Sequence, residues 1–229
     1  MPSAATLTTR YMRISDRGEI ELNKEYEKAP AKTKRIWESG PVVKCACKAC
    51  NSGWMQEMDE GVKPVLTPLA LGQNGTVSIE GVQLLAAWAT KIALVLDASQ
   101  NPPVLDIELK RAFRNTFEPI KGSTIWAGAA SPTVDRVRFR TSGFVPSPGS
   151  GGVEGYVATF TVLHLVLQVF CPPPDLVVRR GSGFSKLMEP IWPRSKELRW
   201  PPPQNSWLAN EQEFEDLASS FESARPQPI

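Results

Sequence analysis

The chain has 229 residues, of which 41% are hydrophobic and 22% charged, with a net charge of +2. These values are ordinary for a globular protein with ample chain to bury a core, and the net charge does not by itself demand a nucleic-acid partner. Three of the four cysteines lie between Cys45 and Cys50. That is not the spaced framework of a secreted disulfide scaffold.

The opening MPSAATLTTR carries no apolar core of signal-peptide type. The most apolar stretch, 155–170, is interrupted by Thr159, Thr161, His164 and Gln168 and is short for a membrane helix. A cytoplasmic, reducing location without membrane contact is therefore expected.

From Thr6 to Lys44 the reading is extended, with a hairpin turn at Asp16-Arg17-Gly18 between TTRYMRIS and EIELNKEY. Lys24, Lys28, Lys32, Lys34 and Arg35 make this arm basic: either a solvated surface or a phosphate-contacting arm leading into the cysteines. After Cys50 a helix is expected over 53–63, with Ser52 as its cap and Trp54, Met58 and Val62 on one stripe. Glu57, Asp59 and Glu60 suit the dipole of its early turns. Pro64 and Pro68 should limit it.

The clearest element is a buried helix over 80–98, with Leu84, Trp88, Ile92 and Leu96 on one stripe and Leu85, Ala89 and Val95 beside it. A more polar helix occupies 106–117. The period then changes to two. Thr124–Ala129 reads as a short strand. In RVRFR, Arg136, Arg138 and Arg140 share one face, as an exposed sheet edge or as a nucleic-acid surface. Residues 156–170 read as one long strand or, better, two joined by a tight turn near Leu163-His164. Proline-rich segments (CPPP, IWP, RWPPP) close the chain around an acidic amphipathic helix over 210–223, with Phe214, Leu217, Ala218 and Phe221 on one face. Asn210 and Glu213 are its cap pair.

Chemistry concentrates in KCACKACNSGWM, 44–55. Two cysteines with two residues between them turn their sulfurs toward one point, which is half of a tetrahedral zinc site. Cys47 and Cys50 are the candidate ligands. Cys45 offers a third thiol, and Cys171 a fourth if the sheet end folds back. Reduced thiols on a surface knuckle are the plain alternative.

The order strand, knuckle, helix, read with CKACNSGWM and the adjoining Lys63-Pro64-Val65-Leu66, resembles the HNH endonuclease superfamily. The closer resemblance is to bacterial and phage members carrying C-x-x-C-N-N/S-G-W-M. It covers about 42–170, with weaker likeness in the IWP and WPP segments. It implies a DNA phosphodiesterase in which zinc on two cysteine pairs staples the fold. A histidine acts as general base, and one Mg²⁺ or Mn²⁺ sits beside an Asn next to the last cysteine.

Carried onto this chain, Cys47 and Cys50 are zinc ligands and Asn51 is a catalytic-metal ligand. The first cysteine pair and the Glu-His-x-x-Pro block would precede Thr6. His164, the only histidine, lies far downstream. An N-terminally shortened, impaired nuclease is thus expected, with a non-catalytic nucleic-acid- or protein-binding module as the alternative. The expected architecture is α+β. A remnant ββα-metal region occupies 1–72, and a helical layer with an antiparallel sheet and a terminal helix occupies 73–229.

Overall fold

The computed structural model describes residues 12–14, 20–22, 46–100, 103–131, 134, 138–144, 155–172, 187–193, 196–203 and 207–219. Lys24, Lys28, Lys32, Lys34, Arg35, Cys45, Arg136 and Phe221 lie outside them.

The architecture is α+β. A short hairpin comes first, pairing β1 (Met12–Ile14) antiparallel with β2 (Ile20–Leu22). Its strands flank the expected turn. The knuckle helix α1 (Lys48–Ser52) and the longer α2 (Trp54–Ala70) come next. Thus α2 does not stop at Pro64 as expected: it runs through both Pro64 and Pro68. A proline removes a helix donor and crowds the carbonyl four residues back, at roughly 3 kcal/mol in a helix interior. Apolar anchoring outweighs that here, because Val62, Leu66, Leu69 and Ala70 are fully buried while Pro64 is exposed.

Gly72 ends the helix. Its φ of +67° suits a residue without a Cβ, and the Gly72 and Gln73 amides donate back to the Leu69 and Pro68 carbonyls. At the other end the expected cap fails. Gly53 occupies the cap position, and the Ser52 hydroxyl instead donates to the Lys48 carbonyl at 2.7 Å.

β3 (Gly75–Val77) leads into α3 (Ile79–Ala98), which Ser78 caps through the Gly81 amide. This helix is long and apolar enough to cross a membrane by length and composition, yet it packs between α2 and a sheet. That position widens its buried surface beyond the expected stripe. Leu85, Trp88 and Ala89 are buried as expected, but Val82, Ala86, Ala93 and Leu94 join them while Leu84, Ile92, Val95 and Leu96 are only half-buried. Next comes α4 (Ile107–Thr116), capped by Asp106 through the Glu108 amide.

The main sheet contains β4 (Thr124–Ala130), β5 (Phe139–Phe144), β6 (Gly155–Val162), β7 (Leu165–Cys171), β8 (Met188–Trp192) and β10 (Trp207–Leu208). Its order is β10-β4-β7-β6-β5, with β8 also on β4. All pairings are antiparallel except β10 with β4. The apolar run over 155–171 is two strands turning at Leu163-His164, as the sequence indicated. β9 (Leu198–Trp200) pairs separately with β3.

Every residue of β6 and β7 is buried, because both sheet faces are covered. Alternate residues Tyr156, Ala158, Phe160, Leu165, Leu167 and Val169 join α2 and α3 in the main core. On the opposite face α5 (Glu211–Ala218) inserts Phe214, Leu217 and Ala218 beside Val166 and Leu208. The Asn210–Glu213 cap pair is present: the Glu213 amide donates to Asn210 at 3.0 Å, and the Ala209 amide donates to the Glu213 carboxylate at 2.7 Å.

Candidate functional site

The knuckle lies at the surface. Cys47 caps α1 in an extended conformation, and the Cys50 amide donates to its sulfur at 3.4 Å. The Cys50 amide and then the Cys50 thiol are the strongest influences holding the Cys47 thiol below its ordinary range, with the Ala49 amide and the Arg114 guanidinium adding to them. Amides aimed at a sulfur favour its thiolate form, which is the form that binds metal. Cys47 is exposed and Cys50 half-buried. Asn51 continues α1, its amide donating to the Cys47 carbonyl at 2.9 Å.

Gly53 makes the tight exit: a Cβ there would stand 2.7 Å from the Ala49 carbonyl oxygen. Trp54 then turns inward, its ring centroid 5.6 Å from that of Phe117 and 6.2 Å from that of Phe113. These contacts tie the knuckle to α4.

The other candidates are elsewhere. Cys171 ends β7, buried in the main core, where desolvation foremost and the Asp97 carboxylate next push its thiol up to about 12. It does not join Cys47 and Cys50: among the described residues no group of three or more His, Cys, Asp or Glu side chains is placed to hold a metal. His164 sits in the β6–β7 turn with Nδ1 3.0 Å from the Ala130 carbonyl oxygen and its ring against Trp207. Its backbone amide donates to the Ala70 carbonyl at the end of α2. These are the contacts of a packed structural imidazole.

Arg138 and Arg140 share a surface, but α5 lies on it. Arg138 meets Glu211 and Glu215, both at 2.8 Å, and its guanidinium lies over the Phe214 ring, 5.5 Å from the centroid. Arg140 pairs with Glu215. The Arg140 hydrogen bond first, and Arg138 after it, hold the Glu215 carboxyl below the usual carboxylate range.

Sequence reasoning misses three features here. Glu211 and Glu215 register only as the acidic side of an amphipathic helix, although their spacing of four puts both on one face. Nothing local connects Arg114 with the knuckle. Asp59, which by position suits the helix dipole, is buried instead. It pairs with Lys91, and the Trp88 indole N–H donates to it at 2.9 Å.

Compared with protein-family models, characterised proteins and solved structures, the chain gives no match.

Proposed function

We propose that this chain is an HNH-type nuclease-like protein acting on DNA, cytoplasmic, in which Cys47 and Cys50 form a zinc knuckle ahead of the metal-ligand residue Asn51. One observation carries the reading: the Cys50 amide donates to the sulfur of an exposed Cys47 at 3.4 Å, with Asn51 the next residue. Two thiolates fit half of a tetrahedral zinc site. In this reading 1–72 is the remnant of a ββα-metal unit and 73–229 is the domain that carries it.

A Mg²⁺ or Mn²⁺ ion bound at Asn51 would supply stabilisation of the leaving oxygen. The chain's own residues would then position that ion: Gly53 lets the backbone turn tightly, and Trp54 anchors the turn on α4. His164, whose amide meets the C-terminal end of α2, is separated from the knuckle by the 17 residues of that helix, roughly 25 Å, so it is not the general base of this site.

The test is plasmid nicking by the purified chain with Mg²⁺ or Mn²⁺, alongside Asn51→Ala. Metal-dependent nicking lost in the variant is the expected result. No nicking, or nicking that ignores Asn51, would overturn the reading.

A second reading, a non-catalytic binding module, draws on the structural contacts of His164. It expects affinity without turnover and indifference to Asn51→Ala. Its nucleic-acid version calls on Arg136, Arg138, Arg140, Lys32, Lys34 and Arg35. Because Glu211 and Glu215 already engage two of these arginines, DNA would have to displace α5 carboxylates, and affinity would fall steeply with salt.

A further inference from the structure

We propose that the cleft between the α4–β4 turn and the end of β8 binds a free aromatic α-amino acid, held by its two charged ends and its ring. The inference does not rest on the nuclease reading. It concerns a second site, built on the main sheet rather than on the knuckle.

The chain leaves α4 at Phe117 and enters the sheet at Thr124. Between them the Ser123 amide donates to the Ile120 carbonyl at 2.9 Å, and Gly122 has a φ of +81°. That is a β-turn whose third residue is left-handed, which leaves Lys121 exposed at its tip. β8 runs antiparallel beside β4 with Trp192 opposite Ile125, so Trp192 and Pro193 come alongside the turn. Together these segments bound a cleft of about 410 Å³. That is large enough for one small molecule.

Ser123 lines the cleft and is 3% exposed, yet among the described residues its hydroxyl has no hydrogen-bond partner. Buried hydroxyls are normally paired, so this one has capacity for a group entering the cleft. Glu118 and Lys121 bring opposite charges to the same cleft, and neither forms an ion pair among the described residues. Trp192, half-buried with its packing on the main core, adds an aromatic wall that Pro119 and Pro193 extend.

One ligand chemistry uses all of these groups. An α-carboxylate meets Lys121 and accepts the Ser123 hydroxyl, an α-ammonium meets Glu118, and an aromatic side chain lies against Trp192 and the two prolines. A simple anion would face Glu118 and leave the apolar wall uncovered. A neutral ring would leave both charges unanswered.

The test is calorimetric titration of the full chain with L-phenylalanine. Beside it run 3-phenylpropanoate, which lacks the ammonium, and 2-phenylethylamine, which lacks the carboxylate. The expected result is saturable binding of one L-phenylalanine per chain, weaker by about tenfold or more for either analogue, as befits the loss of a charge-assisted hydrogen bond. Lys121→Gln and Glu118→Gln, both at exposed positions, should each cost L-phenylalanine a similar factor, and Ser123→Ala should weaken it severalfold. Lys121→Gln should leave 2-phenylethylamine unaffected, because that amine has no carboxylate to lose.

No saturable heat with L-phenylalanine would overturn the proposal. Equal affinity for all three compounds would reduce the cleft to an apolar surface and overturn it too. So would binding that none of the three variants disturbs, which would put the ligand elsewhere on the chain.

Discussion

Asp59 decides how α2 meets α3. Its carboxylate is buried, accepts the Trp88 indole N–H and pairs with Lys91, whose ammonium also lies 3.4 Å from the Met55 carbonyl oxygen. A buried pair is weak evidence of net stabilisation, but removing one member strands the other. Asp59→Ala should therefore cost about 3–5 kcal/mol in denaturant unfolding. Asp59→Leu combined with Lys91→Met removes both charges and takes the acceptor from the Trp88 N–H, at about 1–3 kcal/mol. The double variant should thus be more stable than the single one; the reverse order would mean the pair itself holds the helices together. The thiols give a second prediction at this scale. A maleimide added to the chelator-treated protein should label Cys47 rapidly and Cys171 only on unfolding, because one is exposed and the other closed in the core. Mass spectrometry of timed digests reads the order, and early labelling of Cys171 would contradict its burial.

Helices 2, 3 and 5 show what local pattern reveals and what it conceals. Helix α3 was legible because its apolar density needs no partner to be seen, and the cap pair at Asn210 and Glu213 because both members lie within one turn. The length of α2 was not legible. The prolines state a local penalty, whereas the burial of Leu66 and Leu69 that offsets it depends on α3 and the sheet. Gly81 makes the same point: an alanine Cβ there would meet Val77 Cγ1 at 2.8 Å and Val65 Cγ2 at 3.3 Å. Helix propensity alone favours Gly81→Ala by roughly 1 kcal/mol. Overpacking costs about 1–3 kcal/mol, so the variant should melt at a lower temperature than the parent.

The α5 carboxylates add a pH dependence. Glu215 is held below its ordinary range by Arg140 and Arg138, so its contribution is present above the unfolded value of about 4.3 and is lost as pH falls through the lower folded value. Partial exposure keeps this contribution small. Stability should decline below about pH 4.3, and Glu215→Gln should flatten that decline. An acid limb of the same steepness in the variant would assign the effect to other carboxylates.

At the scale of the whole molecule, the candidate site and the stability are separable. The apolar run over 156–170 was legible as two strands with a tight turn; the burial of both their faces was not. Nothing in the sequence says which segment covers the second face, because Arg138 and Glu215 are 77 positions apart. The Cys-x-x-Cys-Asn block was equally legible as a motif, but its placement on α4 through Trp54, Phe113 and Phe117 required the fold. The knuckle helix buries no residue, whereas α5 buries Phe214 and Leu217 completely and receives the Gln168 side-chain N–H at the Leu217 carbonyl, 3.0 Å away. Two such side chains contribute about 3–6 kcal/mol together, against a typical domain stability of about 5–15 kcal/mol. In chelator, Cys47→Ser with Cys50→Ser should therefore melt within about 2 °C of the parent, a shift of no more than about 1 kcal/mol for a chain of this length. Phe214→Ala with Leu217→Ala should lose most of its cooperative transition and bind a hydrophobic dye at room temperature. Calorimetry on the two double variants separates these outcomes. A large drop for the cysteine pair would make the knuckle part of the folding core, and an unchanged melt for the α5 pair would mean the second sheet face is covered by something other than this helix.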